Sequence, residues 1–355
     1  MGNRNEKGGR GVSDARVIPL RAEESGGRTR WRLGESKPEG ERPRRRPTAA
    51  TPRPRTPADD VPPAPPIAAV PDPEPPAWEQ ALEEALRFLR RRLAGDYPVD
   101  EFGYDPELAD KVLAPVLQPL YKHWFRVETI GMHNVPETGG ALLVANHSGT
   151  LPLDALMTIQ ALHTEHPAKR RLRLLGADLM FKLPLVGELA RKNGATLACN
   201  PDAERLMSAG ELVGVWPEGF KGIGKPFRDR YKLQRFGRGG FVSAALRTGV
   251  PIIPCAIVGA EEIYPKLGDV KPLARLVGAP YFPITPTFPL LGPLGLVPLP
   301  SKWYIEFGEP IRLDQHTAAD AEDPMLVFNL TDQVRETIQQ TLYRLLSQRR
   351  NVFLG

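Results

Sequence analysis

At 355 residues the chain can hold one large domain or two small ones. Its net charge of +5 suggests an anionic partner, but residues 1–58 carry 15 Lys+Arg against 7 Asp+Glu, a balance of +8, which leaves 32 against 35, or −3, for the rest. Two cysteines exclude a disulfide framework or a zinc site of the usual spacing, and Cys199 and Cys255, both in apolar runs, read as small core residues of a reducing compartment. No run reaches the roughly 18 apolar residues of a spanning helix, and no early segment has the build of a secretory signal, so neither is expected.

Residues 1–76 are rich in Pro, Arg, Gly and Glu, with scarcely any hydrophobic periodicity. Such a stretch buries too little apolar surface to offset the entropy of ordering it, so a disordered tail is expected. It reads as a solvated linker or as an electrostatic tether to anionic lipid or nucleic acid. Order begins at "PPAWEQALEEALRFLRRRLAGDYP", where Trp78, Leu82, Leu86, Leu89 and Leu93 form one helical stripe that Gly95 can close. The stripe either packs on the main domain or lies in a membrane interface. A second helix opens at Asp105-Pro106 and runs towards Tyr121, with Pro115 and Pro119 expected to kink or interrupt it. These helices make residues 77–123 an amino-terminal segment ahead of a main domain over 124–355.

From Trp124 onward the texture is short apolar strands alternating with helices. "WFRVETIG", "ALLVANH", "RLRLLG", "LVGVW", "VPIIPCAIVG" and "KWYIEFG" read as strands. Helices are expected from about Pro152 to Leu162, from Asn200-Pro201 as cap and first turn, over "GGFVSAALRTG", and at the end, where Leu330, Val334, Ile338, Leu342 and Leu345 share a face. The pattern implies an α/β fold with a mixed, largely parallel central sheet and helices on both faces. The basic run Lys169, Arg170, Arg171 and Arg173 reads as a solvated face or a headgroup contact. Gly278–Pro300 has no charge and too many prolines for a regular helix. It either folds over the core or presents Phe288, Leu290, Leu291, Leu294 and Leu296 to lipid.

Function in α/β sheets collects where strands end. One end carries Asn146, His147, Ser148 and Gly149, with Asp154 just beyond Pro152; a His oriented by an Asp gains the basicity that proton abstraction from a hydroxyl requires. The second is "LVGVWPEGFKG", where Glu218 and Gly219 should emerge at the same edge, followed by Lys221, Lys225 and Arg228. Its glycines allow close backbone approach and its cations suit a phosphate. The third ends in Glu261-Glu262. His163 and His166 lack a carboxylate or cysteine framework, so no metal is expected.

The order and spacing of these blocks resemble the glycerolipid acyltransferase superfamily, the 1-acylglycerol-3-phosphate acyltransferases and their relatives. "NHSGTLPLDA" resembles the family's Asn-His…Asp block, "VWPEGFKG" its Pro-Glu-Gly block and "GVPIIPCAIVG" its Val-Pro-Ile-Ile-Pro block, over about Phe125–Ile311. The resemblance implies that His147 is a general base oriented by Asp154, and that Glu218 and Gly219 help bind the acceptor, with Asn146, Ser148 and Gly149 beside them. Lys221, Lys225 and Arg228 would take a phosphate. It implies acyl-CoA or acyl-carrier protein as co-substrate, no further cofactor, and a lysophospholipid acceptor converted to phosphatidate. A membrane surface at the cytoplasmic face would be met through 278–300 and the basic tail; nucleic acid is not expected as a partner. A neutral mono- or diacylglycerol acceptor, or a catalytically idle scaffold, are the alternatives. Two departures stand out. Six residues separate His147 from Asp154 where the family's usual spacing is four, so the loop must bulge if the two are to meet. Asn200 stands where many relatives carry a phosphate-binding Arg, and helix capping accounts for it.

Overall fold

The computed structural model describes residues 76–355 apart from Pro184, Arg238 and Val277; the tail expected over 1–76 lies, but for Pro76, outside them. Among the described residues nine strands form: β1 (Glu128–Ile130), β2 (Ala141–Ala145), β3 (Leu172–Gly176), β4 (Thr196–Leu197), β5 (Leu212–Val215), β6 (Ile252–Val258), β7 (Gly268–Asp269), β8 (Pro283–Ile284) and β9 (Tyr304–Phe307). Seven of them make one sheet in the order β1-β9-β6-β2-β5-β3-β4, and β7 pairs with β8 apart from it. Strands β6, β2, β5, β3 and β4 run parallel, whereas β9 lies antiparallel to β6 and carries β1 alongside it.

Strands β2 and β6 are buried at every position, because helices cover both faces of the sheet. Leu142 and Val144 join a core built with the helices Asn200–Ser208, Gly240–Thr248 and Pro324–Gln348. Ala141, Leu143 and Ala145 face the opposite core, shared with Tyr121, Phe125 and the helix Leu153–Glu165. The expected face of the closing helix, Leu330 to Leu345, is buried throughout. The topology sets the carboxyl ends of β5, β2 and β6 side by side, which is where the polar residues of the sequence lie.

The helix Ala77–Ala94 buries none of its residues. Its apolar stripe faces away from the domain, with Trp78 66% and Leu93 90% exposed. The opposite, charged flank holds it: Arg92 pairs with the buried Asp105, Arg91 with Glu107 at 2.5 Å, and Lys111 with Glu84 at 2.5 Å. The following helical segment, 106–124, is not broken by its prolines. Each lacks an N–H, and the chain accommodates the lost bonds with π turns at Ala109–Leu113 and Leu120–Trp124.

Two expectations are corrected. Cys199 is exposed and only Cys255 is a core residue, where burial pushes its thiol well above the usual range. Of the basic run, Lys169 is exposed as expected, but the arginines are not a solvated face. Arg170 donates to the carbonyls of Pro136, Gly139 and Gly210, Arg171 pairs with Asp110, and Arg173 is buried against Asp100 and the Gly194 carbonyl. The guanidiniums of Arg170 and Arg173 thus cap loop carbonyls that the apolar strands leave behind.

Candidate functional site

β2 ends at Ala145, and the Asn146 side chain continues its pairing. Asn146 Nδ2 donates to the Ile257 carbonyl at 3.0 Å, and Ile257 N–H donates back to Oδ1 at 2.7 Å. Both amide atoms are thus committed to β6, which corrects the expectation that Asn146 binds substrate. It fixes where the next residue, His147, leaves the sheet.

The chain then turns through Gly149 (φ 93°) and Thr150 (φ 64°), a left-handed pair that absorbs the two extra residues. Gly149 is required on packing grounds as well, since a Cβ there would stand 2.7 Å from the Ala260 carbonyl oxygen. The Thr150 hydroxyl donates to the Tyr264 carbonyl at 3.3 Å, and Tyr281 donates its phenol O–H to the Thr150 carbonyl. With the bulge pinned, the helix Leu153–Glu165 starts where Asp154 can fold back. Its Oδ2 lies 2.7 Å from His147 Nδ1 and accepts the Ser148 N–H at 2.9 Å, while Oδ1 accepts the Ala155 N–H at 2.8 Å. Asp154 is fully buried and the His147 side chain is 13% exposed. An ionised carboxylate only accepts, so it holds the proton on Nδ1 and leaves Nε2 as the basic nitrogen.

Glu218, at the end of β5, is also buried and faces inward. Oε1 accepts the His147 backbone N–H at 2.9 Å, Oε2 accepts the Gln234 N–H at 2.6 Å, and Lys225 Nζ lies 3.3 Å from Oε2. With its oxygens so engaged, Glu218 anchors the base's main chain, which corrects the expectation of an acceptor ligand. Lys225 is corrected likewise. Its ammonium is buried between Glu218, Glu261 (3.1 Å) and the Lys232 carbonyl (3.2 Å), which satisfies its three donors internally. Burial is the main reason the Glu261 carboxyl is pushed up to about 7, with the Lys225 ammonium opposing it and the Glu218 charge adding to it.

Gly219 takes φ 54°, ψ −142° ahead of the single turn Phe220–Ile223, a conformation open to glycine. Gly222 lets that turn press on the base: a Cβ there would meet Glu218 Cβ at 2.7 Å, the His147 carbonyl oxygen at 2.8 Å and His147 Cβ at 2.9 Å. Lys221 is exposed on this turn, and Arg228 is exposed beside Asp229 at 3.6 Å, so neither is drawn into the buried network. The Ser148 hydroxyl and the Trp216 indole N–H are buried with no hydrogen-bond partner among the described residues, and the Trp216 ring centroid is 6.1 Å from that of His147. Cys199 holds the cap position of the helix Asn200–Ser208 and Asn200 is its first residue, set against Gly240, which corrects its reading as a cap.

Sequence reasoning missed Tyr281, Trp216 and the main chain of Gln234. Trp216 directly follows a strand and precedes Pro-Glu-Gly, which is a usable signal; a backbone N–H leaves none. The apolar segment joins the site through Tyr281. Trp124 Nε1 donates to the Pro298 carbonyl at 3.0 Å, and Leu290, Leu291, Leu294 and Leu296 are exposed, Leu290 by 83%, whereas Phe288 is half-buried against Phe282.

A family model described as Acyltransferase matches residues 126–258. An uncharacterized protein of Mycobacterium leprae is 65% identical over 276 residues, covering 78% of this chain and 75% of that one. A Homo sapiens protein, "DGAT1/2-independent enzyme synthesizing storage lipids", is 24% identical over 197 residues, 56% of this chain and 57% of its own. Among solved structures, the 1-acyl-sn-glycerophosphate (LPA) acyltransferase PlsC of Thermotoga maritima is matched at a TM-score of 0.45 and 18% identity, over 76% of this chain and 91% of that chain. The family match runs from just before β1 to the last residue of β6 and so spans the strand ends that bring His147, Asp154 and Glu218 together; the chain carries an acyltransferase domain over these residues.

Proposed function

We propose that the protein moves a fatty acyl group from acyl-CoA or acyl-carrier protein to the free hydroxyl of 1-acylglycerol-3-phosphate, giving phosphatidate. The observation that carries this reading is the His147–Asp154 contact, which leaves Nε2 as a base with no hydrogen-bond partner among the described residues. Nε2 takes the acceptor's hydroxyl proton while the oxygen adds to the thioester carbonyl. The tetrahedral intermediate then expels the thiolate, which recovers the proton from the imidazolium. The thioester is already activated, so placing and deprotonating the alcohol suffices and no acyl-enzyme is needed. Glu218, Asn146 and Gly222 act through His147 as positioning residues.

The reaction takes place at a membrane surface on the cytoplasmic side, where the protein binds peripherally. The outward stripe of the helix Ala77–Ala94 and the exposed leucines of 290–296 support this, since exposed apolar patches mark interaction sites and long-chain acceptors reside in bilayers. No helix among the described residues is long and apolar enough to cross a membrane.

A second reading keeps the chemistry and makes the acceptor a neutral mono- or diacylglycerol. It is favoured by the withdrawal of Lys225 into a buried ion pair, which leaves Lys221 and Arg228 as the sequence-expected cations available to a phosphate. Thiol release from acyl-CoA and from acyl-carrier protein, measured with lysophosphatidate and with monoacylglycerol, tests both. Preference for lysophosphatidate supports the first reading, and preference for the neutral lipid replaces it with the second. Turnover unchanged in His147→Ala overturns the shared chemistry.

A further inference from the structure

Beside the Glu218–Lys225 network, a cleft of about 440 Å³ opens between the loop around Tyr231 and the end of the closing helix. Arg230, Lys232, Arg349 and Arg350 line it, with Glu262 as the one carboxylate. Glu262 is already neutralised, since Arg349 Nη1 contacts both its oxygens at 2.8 and 2.7 Å. Arg230, Lys232 and Arg350 remain exposed; Lys232 has only Asp229, at 3.9 Å, and Arg350 has no ion pair among the described residues. Tyr343 and Val352 give the cleft an exposed apolar side. Cations converging on a concave surface concentrate a field that selects polyanions, and an aromatic face accepts a base.

The backbone is held in an unfavourable shape to make this arrangement. Tyr231 has φ 62°, a region that bulky side chains avoid. Its hydroxyl accepts the Gly259 N–H at 3.0 Å, and its carbonyl accepts Gln339 Nε2 at 2.8 Å. The ring is thereby buried while its two neighbours, Arg230 and Lys232, stay at the surface. Strain of this kind persists where the surrounding structure over-determines it, often at ligand clamps. The cleft adjoins the network that holds the main chain of the base. The Lys232 carbonyl accepts from Lys225 Nζ, which touches Glu218, which in turn accepts from the His147 amide.

We propose that this cleft binds the phosphate-bearing nucleotide end of coenzyme A, with Arg230, Lys232 and Arg350 on the phosphates and Tyr343 against the base. The volume lies within the range of small-molecule sites and exceeds what a lone phosphate would fill. The flexible arm between phosphates and thioester is the part of the donor that has to reach from the cleft to His147. This rests on the thioester-donor reading above and assigns the donor as acyl-CoA.

The test is calorimetric binding of coenzyme A and of dephospho-coenzyme A to the whole protein and to the double variant Lys232→Glu/Arg350→Glu, at low and high salt. The two changes replace exposed side chains, and a thermal melt checks that the fold is kept. A loss of about tenfold or more in affinity is expected, because charge-assisted contacts are lost. The loss should be smaller for dephospho-coenzyme A, and KM for acyl-CoA should rise by more than kcat falls. The milder Arg350→Ala should give a partial loss. Equal affinity in wild type and double variant, no binding of coenzyme A to the wild type, or binding of carrier protein in its place would each overturn the assignment. Failure of the reaction reading looks different. If coenzyme A binding depends on Lys232 and Arg350 but no acyl transfer occurs with any acceptor, the cleft stands and the activity falls. If transfer from acyl-CoA proceeds with KM unchanged in the double variant, the activity stands and the cleft falls.

Discussion

The backbone N–H of His147 donates to Glu218 Oε1 at 2.9 Å, while Lys225 and the Gln234 N–H hold the second carboxylate oxygen. A buried carboxylate with this set of donors is a fixed post against which the base is set. Glu218→Gln keeps one acceptor but presents an amide N–H₂ where N–H donors already converge. It should cost roughly 2–3 kcal/mol of stability, the scale of a charged hydrogen bond left unmade. Chemical denaturation measures this. A variant with unchanged stability and only a raised KM for the acceptor would return Glu218 to a role in substrate binding.

Replacing the base removes the chemistry without removing a core residue. His147→Ala should slow thiol release by on the order of 10²–10⁴-fold at nearly unchanged melting temperature. Asp154→Asn should approach the same loss, because an amide can offer Nδ1 a donor and so favour the wrong tautomer. It also weakens the bond to the Ser148 N–H, and a small drop in melting temperature should accompany it.

Gly222→Ala tests how closely the turn after β5 is fitted to the base. The added methyl would stand inside contact distance of His147 and Glu218 at once. Overpacking of this kind costs roughly 1–3 kcal/mol, and here the strain is relieved by moving His147. A steady-state assay should show kcat falling more than KM rises. Wild-type kcat in a stable variant would mean that the turn can shift without carrying the base.

The buried charge cluster sets a pH dependence. The Glu261 carboxyl is raised from an ordinary 4.5 to about 7 in the folded protein, first by burial. The folded state therefore holds a proton that the unfolded state has given up, and stability contributed by this group is present below about 4.5 and lost as pH rises towards about 7. Glu261→Gln should flatten that slope. Denaturation midpoints at pH 5 and pH 7.5 in wild type and variant provide the comparison, and parallel curves would remove Glu261 as the cause.

Membrane contact through the exposed leucines should be separable from catalysis. Leu290→Asp with Leu294→Asp removes two side chains whose full burial is worth roughly 1.5–3 kcal/mol each. Sedimentation with liposomes should show at least a tenfold weaker partition, while turnover on a short-chain, soluble acceptor persists. Equal sedimentation would place the contact elsewhere.

The sheet was legible because its strands are short apolar runs between turn residues, and the three strand ends were legible because polar residues there interrupt runs that a core would continue. Periodicity revealed the stripe from Trp78 to Leu93 but not which way it faces. That is decided by Asp105, Glu107 and Lys111, which bind the opposite flank and lie beyond the helix. Nor could the sequence tell a phosphate-binding lysine from an internal one. Lys225 is buried because β6 brings Glu261 beside Glu218, a juxtaposition made by strand order rather than by local spacing. The return of Asp154 to His147 depends likewise on Tyr264 and Tyr281, 114 and 131 residues beyond Thr150.

The bulge between His147 and Asp154 has a practical consequence for finding chains of this kind. Its ends are fixed by β2 and by the helix start, and its middle is held from outside, so its length is decoupled from the meeting of imidazole and carboxylate at 2.7 Å. A pattern search that insists on four intervening residues would discard this chain, although the pair it seeks is formed. Searching for a histidine at a strand end and a carboxylate in the first turn of the next helix would retain it.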